Sequence, residues 1–188
     1  MAGAAKDAMV RTAIDLLAQR GYQGMSFAEV IEASGAPRGS IYHHFPDGKE
    51  QLVAAAVARA GHRAMRALDE IDGQPAPKVV DAYMDMWRVV LDNSDLTAGC
   101  SVLAVAVSSA NADLVSQSGA VFQAWRERMT EVLAAGGMRR ADAVGFSTLL
   151  VAASEGAVVL SRAEGTMAPF ETVATQLRAE AQRLTPRS

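Results

Sequence analysis

The amino-acid sequence predicts an all-α protein of about nine helices. Alanine, the residue with the highest intrinsic helix propensity, is frequent along all 188 positions. Apolar residues recur three and four positions apart in most segments, as on one buried face of a helix. Glycine and proline are concentrated between those segments, where helices end. The segment from Val102 to Val107 has the composition of a strand, but an isolated strand has no partner, so we expect a short helix or irregular structure there.

The composition is that of a folded protein of the reducing cytosol. Half of the residues are hydrophobic, which supports a buried core and argues against disorder. With one cysteine, Cys100, the chain can form no intrachain disulfide. The N-terminus includes an acid and no long apolar stretch, unlike a signal peptide. The longest uncharged run, Leu96 to Ala112, is shorter than the roughly 20 apolar residues of a membrane span. We expect a soluble, cytoplasmic protein.

The first fifty residues contain signals for two helices and a sharp turn. The buried face of the first helix is predicted at Val10, Ala13, Ile14 and Leu17. Gly21 ends that helix. Ser26 and Glu29 form a capping box, in which the serine oxygen accepts a backbone N–H and the glutamate reaches back to the serine. Gly35 then permits the left-handed backbone of a tight turn.

A third, short helix lies between two prolines. Pro37 suits a first helical position, where its missing N–H is not needed, and Pro46 disfavours helix at the residue before it. Within about two turns, Ile41 and Phe45 would anchor this helix to the first two. The helix also carries Ser40, and its outward-facing residues should be Arg38, Gly39, Tyr42 and His43. Such a helix suits the major groove of DNA better than it suits catalysis.

These features together resemble the N-terminal domain of the tetracycline-repressor (TetR) family of bacterial transcription regulators. The resemblance runs from Ala8 to about Leu52 and centres on Gly39–Phe45, GSIYHHF. The helix lengths, the glycine turn, the aromatic pair and the Lys-Glu pair after the loop agree together, so the match is more specific than a lone helix-turn-helix. It implies a helix-turn-helix DNA-binding domain over residues 1–48 and a helical effector-binding and dimerisation domain over residues 49–188.

The resemblance implies that the third helix is the recognition helix. Arg38 would bond a guanine edge with two parallel hydrogen bonds, and Gly39 would let the backbone approach DNA closely. Residues near backbone phosphates would be Ser26, Tyr42, His43 and Lys49. The alternatives are that Arg38 is a solvated surface arginine and that Tyr42 packs inside the domain, as we expect for His44.

Six further helices are predicted after the third. Asp47 and Glu50 form a second capping-box pattern at the start of a long fourth helix. Glycine, proline and polar segments separate the later helices. The expected ranges are about 47–71, 77–92, 102–107, 110–135, 141–164 and 170–184.

The C-terminal sequence is similar to LmrA/YxaF-like regulators at Trp87, Gly99-Cys100 and Glu155-Gly156-Ala157. Members of the wider family bind small hydrophobic effectors between helices four to eight, a site that methionine and aromatic side chains suit. The candidate pocket residues are Tyr83, Met84, Trp87, Leu91, Cys100, Leu103, Phe122, Trp125, Met129 and Phe146. Most of these must be ordinary core, and a subset would line the pocket. Glu155 is interpreted as an interface residue, a polar anchor in the pocket, or an exposed acid.

The last two helices are long and rich in small residues, and in this family such helices form the dimer interface. The candidate interface residues are Leu150, Glu155, Val158, Val173, Leu177 and Leu184. The alternative is that these residues pack only in the chain's own core. A twofold dimer implies a roughly palindromic operator in double-stranded DNA, with half-sites about one helical turn apart or a multiple of that.

The sequence contains little catalytic chemistry. All three histidines lie in the first third of the chain, and nucleotide-binding glycine motifs are absent. Asp81 and Asp85 share a helix face, which is usually a solvated face, and Cys100 has no partner histidine. We therefore expect no enzyme activity, no metal site and no cofactor.

The expected function is a homodimeric repressor that a small hydrophobic effector releases from its operator. One observation opposes it: residues 1–50 carry five Lys/Arg against six Asp/Glu, whereas DNA-binding domains are usually basic. The alternative is a small-molecule sensor or carrier whose N-terminal domain contacts a protein instead of DNA.

Overall fold

The computed structural model describes residues 2–185, and within them the chain forms nine α-helices and no strand. The helices are α1 (Ala2–Arg20), α2 (Phe27–Ser34), α3 (Ser40–His44), α4 (Lys49–Glu70), α5 (Ala76–Asn93), α6 (Ser101–Ser108), α7 (Ala112–Ala135), α8 (Arg140–Glu164) and α9 (Ala168–Leu184). The all-α prediction is confirmed, and Val102–Val107 lies inside a helix, α6. Residue 1 and residues 186–188, which the predicted domain ranges include, lie outside the described residues.

The helices form two compact units. Unit 1 comprises Met1–His62 with Cys100–Phe122, and unit 2 comprises Arg63–Gly99 with Gln123–Ser188. Residues of α4 and of α7 belong to both units. The boundary predicted between a DNA-binding domain (1–48) and an effector-binding domain (49–188) stays a prediction. The two units are defined by compactness alone and do not show which residues bind DNA or effector.

Unit 1 is built around α1, which packs against α2, α3 and α6. The inner face predicted for α1 is buried at Val10, Ala13 and Leu17. Val30 of α2 and Val105 of α6 are fully buried as well. The short elements of this unit therefore acquire their stability from packing on α1, since isolated helices of their length are marginal in water.

In unit 2, α8 packs against α9 and α5, and α5 packs against α9. The largest fully buried side chains of its continuous apolar core are Met84, Leu91, Met129, Leu133, Leu150 and Phe170. Ion pairs join α7 to the end of α4 and to the turn after it. Arg128 of α7 donates from Nε to Asp69 (2.8 Å) and from Nη2 to Asp72 (2.9 Å). The hydrogen bond from Arg128 to Asp72, aided by one from the Gly73 N–H, holds the pKa of the Asp72 carboxyl below its usual value.

The start of α3 differs from the prediction. Pro37 was expected as the first helical residue, but α3 begins at Ser40. The Ser40 N–H donates to the Pro37 carbonyl three residues back (2.9 Å), so Pro37–Ser40 is a turn that leads into the helix. Pro37 is the first residue of this turn and supplies its carbonyl as the acceptor, and its missing N–H is needed neither there nor in the first turn of a helix. The sequence pattern therefore did not separate the two arrangements.

The capping box predicted at Asp47 and Glu50 is wrong. The Asp47 N–H donates instead to Oε1 of Gln51, the residue after Glu50 (3.3 Å). The Glu50 carboxylate accepts from Nδ2 of Asn111 at 2.7 Å, an interaction between residues far apart in sequence. A tertiary partner has thus replaced the local one.

Candidate nucleic-acid interface

The two faces of α3 have opposite environments. Ile41 and Phe45 are 0% and 1% exposed, as their spacing predicted. Tyr42 is 66% exposed, and Arg38 and His43 are also exposed. Because α3 has only five residues, its two buried anchors determine which side chains an outside partner can contact.

The turn before α3 requires glycine at position 35. Gly35 is the C-cap of α2 and has φ 65° and ψ 15°, in the left-handed region. The Ser34 hydroxyl accepts the Ala36 N–H (3.3 Å) just beyond it. A side chain at Gly35 would strain this backbone, so the glycine is required by the fold itself.

Arg38 and Gly39 lie in the turn that leads into α3. Arg38 has no hydrogen-bond or ion-pair partner among residues 2–185, so its five N–H donors are available to an outside acceptor. Gly39 has φ −75° and ψ −18°, which any residue adopts, and a Cβ there would meet nothing within 4 Å. The free protein therefore offers no conformational or steric reason for glycine at position 39.

The capping box at the start of α2 is confirmed. The Ser26 N–H and hydroxyl both donate to Oε2 of Glu29, at 2.9 and 2.8 Å, and the Glu29 N–H donates to the Ser26 hydroxyl. The hydrogen bonds from Ser26, followed by the charge of Arg20, hold the pKa of the Glu29 carboxyl below its usual value near 4.5. The carboxylate form that closes the box is thus the stable one at neutral pH.

Both serines of the predicted DNA surface use their hydroxyl protons inside the protein. Ser26 donates to Glu29, and Ser40 donates to the Pro37 carbonyl (2.7 Å). A phosphate oxygen only accepts, so neither hydroxyl offers it a proton while these bonds last. The backbone N–H groups of Phe27 and Ala28, in the first turn of α2, have no acceptor in the described part of the chain. These N–H groups, and not the Ser26 hydroxyl, are the donors that this helix terminus offers.

Lys49, the first residue of α4, is anchored to the connection between α1 and α2. Its Nζ donates to the Tyr22 carbonyl at 2.6 Å and lies 4.4 Å from the centroid of the Tyr22 ring. Partial burial lowers the pKa of the Lys49 ammonium, and the Glu29 charge opposes that shift. An ammonium has three N–H donors, so the bond to Tyr22 leaves donors for a second acceptor.

The aromatic residues of α3 combine packing with exposure. The Tyr42 ring meets the Phe27 ring edge-on, with centroids 5.8 Å apart, although most of Tyr42 is exposed. His44 is half-buried, with its ring 5.2 Å from that of His43 and 6.5 Å from that of Phe45. His43 is therefore more accessible than His44.

The structure divides the predicted pocket residues between the two units. Cys100, Leu103 and Phe122 belong to unit 1, and the other seven belong to unit 2. Within unit 2, Tyr83 and Trp87 are half-buried and pack against the apolar core. The remaining five side chains are buried: Met84, Leu91, Trp125, Met129 and Phe146.

The predicted interface residues point mainly into the core of unit 2. Leu150, Val158 and Leu177 belong to the buried apolar cluster of the chain itself, and Glu155 is buried as well. Val173 and Leu184 are half-buried against the same cluster. The exposed apolar side chains of α8 lie elsewhere, and sequence reasoning missed them: Val144, Leu149, Val159 and Leu160.

Comparison with known families identifies the chain. Residues 10–56 match the model of bacterial regulatory proteins of the tetR family, and residues 76–176 match that of the C-terminal domain of LmrA/YxaF-like transcriptional regulators. The chain belongs to the TetR family. It is a DNA-binding transcriptional regulator, and the similarity to the LmrA/YxaF-like subgroup inferred from its C-terminal sequence is confirmed.

Relatives of this TetR-family regulator match along nearly all of its length. An HTH-type transcriptional regulator of Mycobacterium tuberculosis is 32% identical over 92% of each chain. The HTH-type regulator YxaF of Bacillus subtilis is 27% identical over 93% of this chain and 94% of its own. The crystal structure of a TetR transcriptional regulator from Chloroflexus aurantiacus has a TM-score of 0.79 at 27% identity, covering 97% of this chain and 96% of that one.

The two glycines of the helix-turn-helix allow a matched test. Gly39→Ala should fold at least as stably as the wild type, because its backbone and surroundings accept a Cβ, and should bind DNA more weakly if the backbone approaches DNA there. Gly35→Ala should lose about 1–2 kcal/mol of stability, because its backbone is left-handed. Urea unfolding followed by circular dichroism, with DNA titration of both variants, measures these effects. Full DNA affinity in Gly39→Ala would show that nothing approaches this position closely.

Proposed function

We propose that this regulator is a cytoplasmic, homodimeric repressor that occupies a palindromic operator and leaves it when a small hydrophobic effector binds. The observation that carries the proposal is the exposed surface of α3. In the turn that leads into α3, Arg38 is accessible and has no partner in the described chain, and neither the backbone conformation nor the surroundings of Gly39 require glycine. A guanidinium that bonds a guanine edge bidentately contributes about 1–3 kcal/mol of discrimination against other bases.

Phosphate contacts would come from donors on either side of α3. The N–H groups of Phe27 and Ala28 lie at the start of α2, and the Lys49 ammonium lies at the start of α4. The exposed side chains of Tyr42 and His43 lie on the α3 surface. Backbone donors and one ammonium position the protein without carrying sequence information, which leaves base recognition to Arg38.

The acidic balance of residues 1–50 is less unfavourable to DNA than the count of charges suggests. Asp7 is paired with Arg59 at 3.0 Å, and Glu29 with Arg20 at 2.7 Å. Arg59 lies outside residues 1–50, so its pair with Asp7 offsets the net charge of −1 in that range, whereas the Arg20–Glu29 pair removes one charge of each sign from the count. Salt dependence should therefore be moderate. The balance is also the observation that favours the alternative, a sensor or carrier whose N-terminal domain contacts a protein. Sequence-specific DNA binding would exclude that alternative.

The dimer interface is proposed on the exposed face of α8. Val144, Leu149, Val159 and Leu160 are 50–56% exposed, and they are interleaved with exposed small residues at Gly145, Ala152 and Gly156. Among residues 2–185, α8 is the one helix long and apolar enough to cross a membrane, and half of its apolar stretch is buried. Its buried half packs in the core of unit 2, so the other half is an apolar surface that a second copy would cover.

The effector site is proposed around Tyr83 and Trp87 in unit 2. Both are half-buried on a core that contains Met84, Met129 and Phe146. The Tyr83 hydroxyl lies 3.3 Å from the Ser154 hydroxyl, so one polar pair accompanies the apolar surroundings. Apolar walls with few polar groups suit a hydrophobic ligand of modest polarity.

Arg38→Ala should weaken binding to the preferred duplex by about 1–3 kcal/mol and relax the base preference at one position in each half-site. Arg38→Lys should not restore that preference, because an ammonium lacks the bidentate fork. The matched control is Arg11→Ala, which removes an exposed cation from α1. The duplex is selected by the wild type from a random pool, and affinities are measured by fluorescence anisotropy. Unchanged affinity in Arg38→Ala would remove Arg38 as a base-reading residue.

Leu149→Glu should convert the dimer to monomers, because a carboxylate would be buried in an apolar interface. Val89→Glu is the control, since Val89 on α5 is 57% exposed and lies outside the proposed interface. Sedimentation velocity gives the mass of each variant. A wild-type monomer, or a dimer that survives Leu149→Glu, would contradict the proposed interface.

An effector that releases the operator must bind the operator-bound protein more weakly than the free protein by the same factor. We expect this reciprocity for an apolar compound found by screening for release of the selected duplex. Tryptophan fluorescence of the free protein should report binding, and Trp87→Phe should lower affinity for the compound while leaving affinity for DNA unchanged. A compound that releases DNA without binding the free protein would contradict the mechanism.

A further inference from the structure

The connection between α1 and α2 is closed by an ion pair. Arg20, the last residue of α1, donates from Nη1 to Oε1 of Glu29 at 2.7 Å. The second carboxylate oxygen of Glu29, Oε2, accepts from the backbone and hydroxyl of Ser26. One carboxylate therefore caps α2 with one oxygen and binds the end of α1 with the other.

The intervening turn folds back against the same residue. A Cβ at Gly24 would lie 2.6 Å from the Arg20 carbonyl oxygen and 2.8 Å from the Arg20 Cβ, so only glycine fits this approach. Lys49 binds the same turn at the Tyr22 carbonyl (2.6 Å). The first turn of α2 is thus held from the end of α1 and, through the turn, from the start of α4.

We propose that Arg20 is a positioning residue for DNA binding. It orients the N–H groups of Phe27 and Ala28 toward a backbone phosphate and does not itself touch DNA. The inference rests on the proposed function. Arg20 and Glu29 side chains are 54% and 37% exposed, and exposed ion pairs contribute little to folding stability. Their effect should therefore be seen in DNA affinity more than in unfolding.

The direction of the change in DNA affinity in Glu29→Gln distinguishes a positioning role from a purely electrostatic effect. Glu29 carries a negative charge beside a predicted phosphate site, so its neutralisation alone would tighten DNA binding. Glu29→Gln keeps an oxygen for Ser26, since glutamine also closes a capping box, but its amide presents a donor to Arg20 and breaks the ion pair. Positioning therefore requires weaker binding in Glu29→Gln, opposite to the electrostatic expectation.

The experiment measures affinity for the duplex that the wild type selects from a random pool, at one fixed salt concentration. Arg20→Ala and Glu29→Gln should each weaken binding roughly two- to thirtyfold. The double variant should lose no more DNA affinity than the weaker-binding single variant, because both substitutions break the same ion pair. Arg20→Lys should recover most of the affinity, since Arg20 uses one donor. Base preference and the unfolding midpoint should stay close to those of the wild type.

The control is Arg183→Ala, which breaks an exposed ion pair of unit 2, with Glu180, removes the same charge as Arg20→Ala and should leave affinity unchanged. Tighter binding in Glu29→Gln, equal affinity in all variants, or additive losses would each overturn the inference. If the wild type selects a duplex and every variant binds that duplex with equal affinity, only the role of Arg20 is overturned. A wild type that selects no duplex overturns the proposed function as well.

Discussion

The burial of Ile41 and Phe45 determines which side of α3 is exposed, and that exposed side is the surface that we propose contacts DNA. Fully burying a side chain of this size contributes about 1.5–3 kcal/mol, more than any single exposed contact on α3. A five-residue helix has no stability of its own, so its orientation follows from these two anchors and from the packing of α1 against it. Tyr42 and His43 are exposed because the opposite side of α3 packs in the core, and Arg38 is exposed in the turn that leads into the helix.

A second feature follows from how hydrogen-bond donors are distributed around that surface. The hydroxyl protons of Ser26 and Ser40 are donated to the Glu29 carboxylate and to the Pro37 carbonyl. The donors left over include the Arg38 guanidinium, the first N–H groups of α2, part of the Lys49 ammonium and the exposed side chains of Tyr42 and His43. These are the groups that the fold does not use, and they suit guanine edges and phosphates. A chain with a net charge of −3 can therefore still offer a small cationic and N–H-rich surface to DNA.

Local patterns predicted local structure well. Periodicity and capping rules, which use neighbours within a few residues, predicted the approximate ranges of the nine helices in the described chain, the Ser26–Glu29 cap and the Gly35 turn. Tertiary contacts decided the rest. Asn111 engages Glu50 away from its predicted cap. α8 is apolar on both sides, so spacing alone could not show that Leu150 faces the core while Leu149, one residue earlier, faces solvent.

The most direct test of this account is dimethyl sulfate footprinting of the selected duplex, because this reagent reports guanine N7 in the major groove and adenine N3 in the minor groove. If α3 enters the major groove, the wild type should protect guanine N7 in two symmetric half-sites about one helical turn apart, or a multiple of that. Protection of adenine N3 alone, or of a single half-site, would contradict major-groove recognition by a twofold dimer.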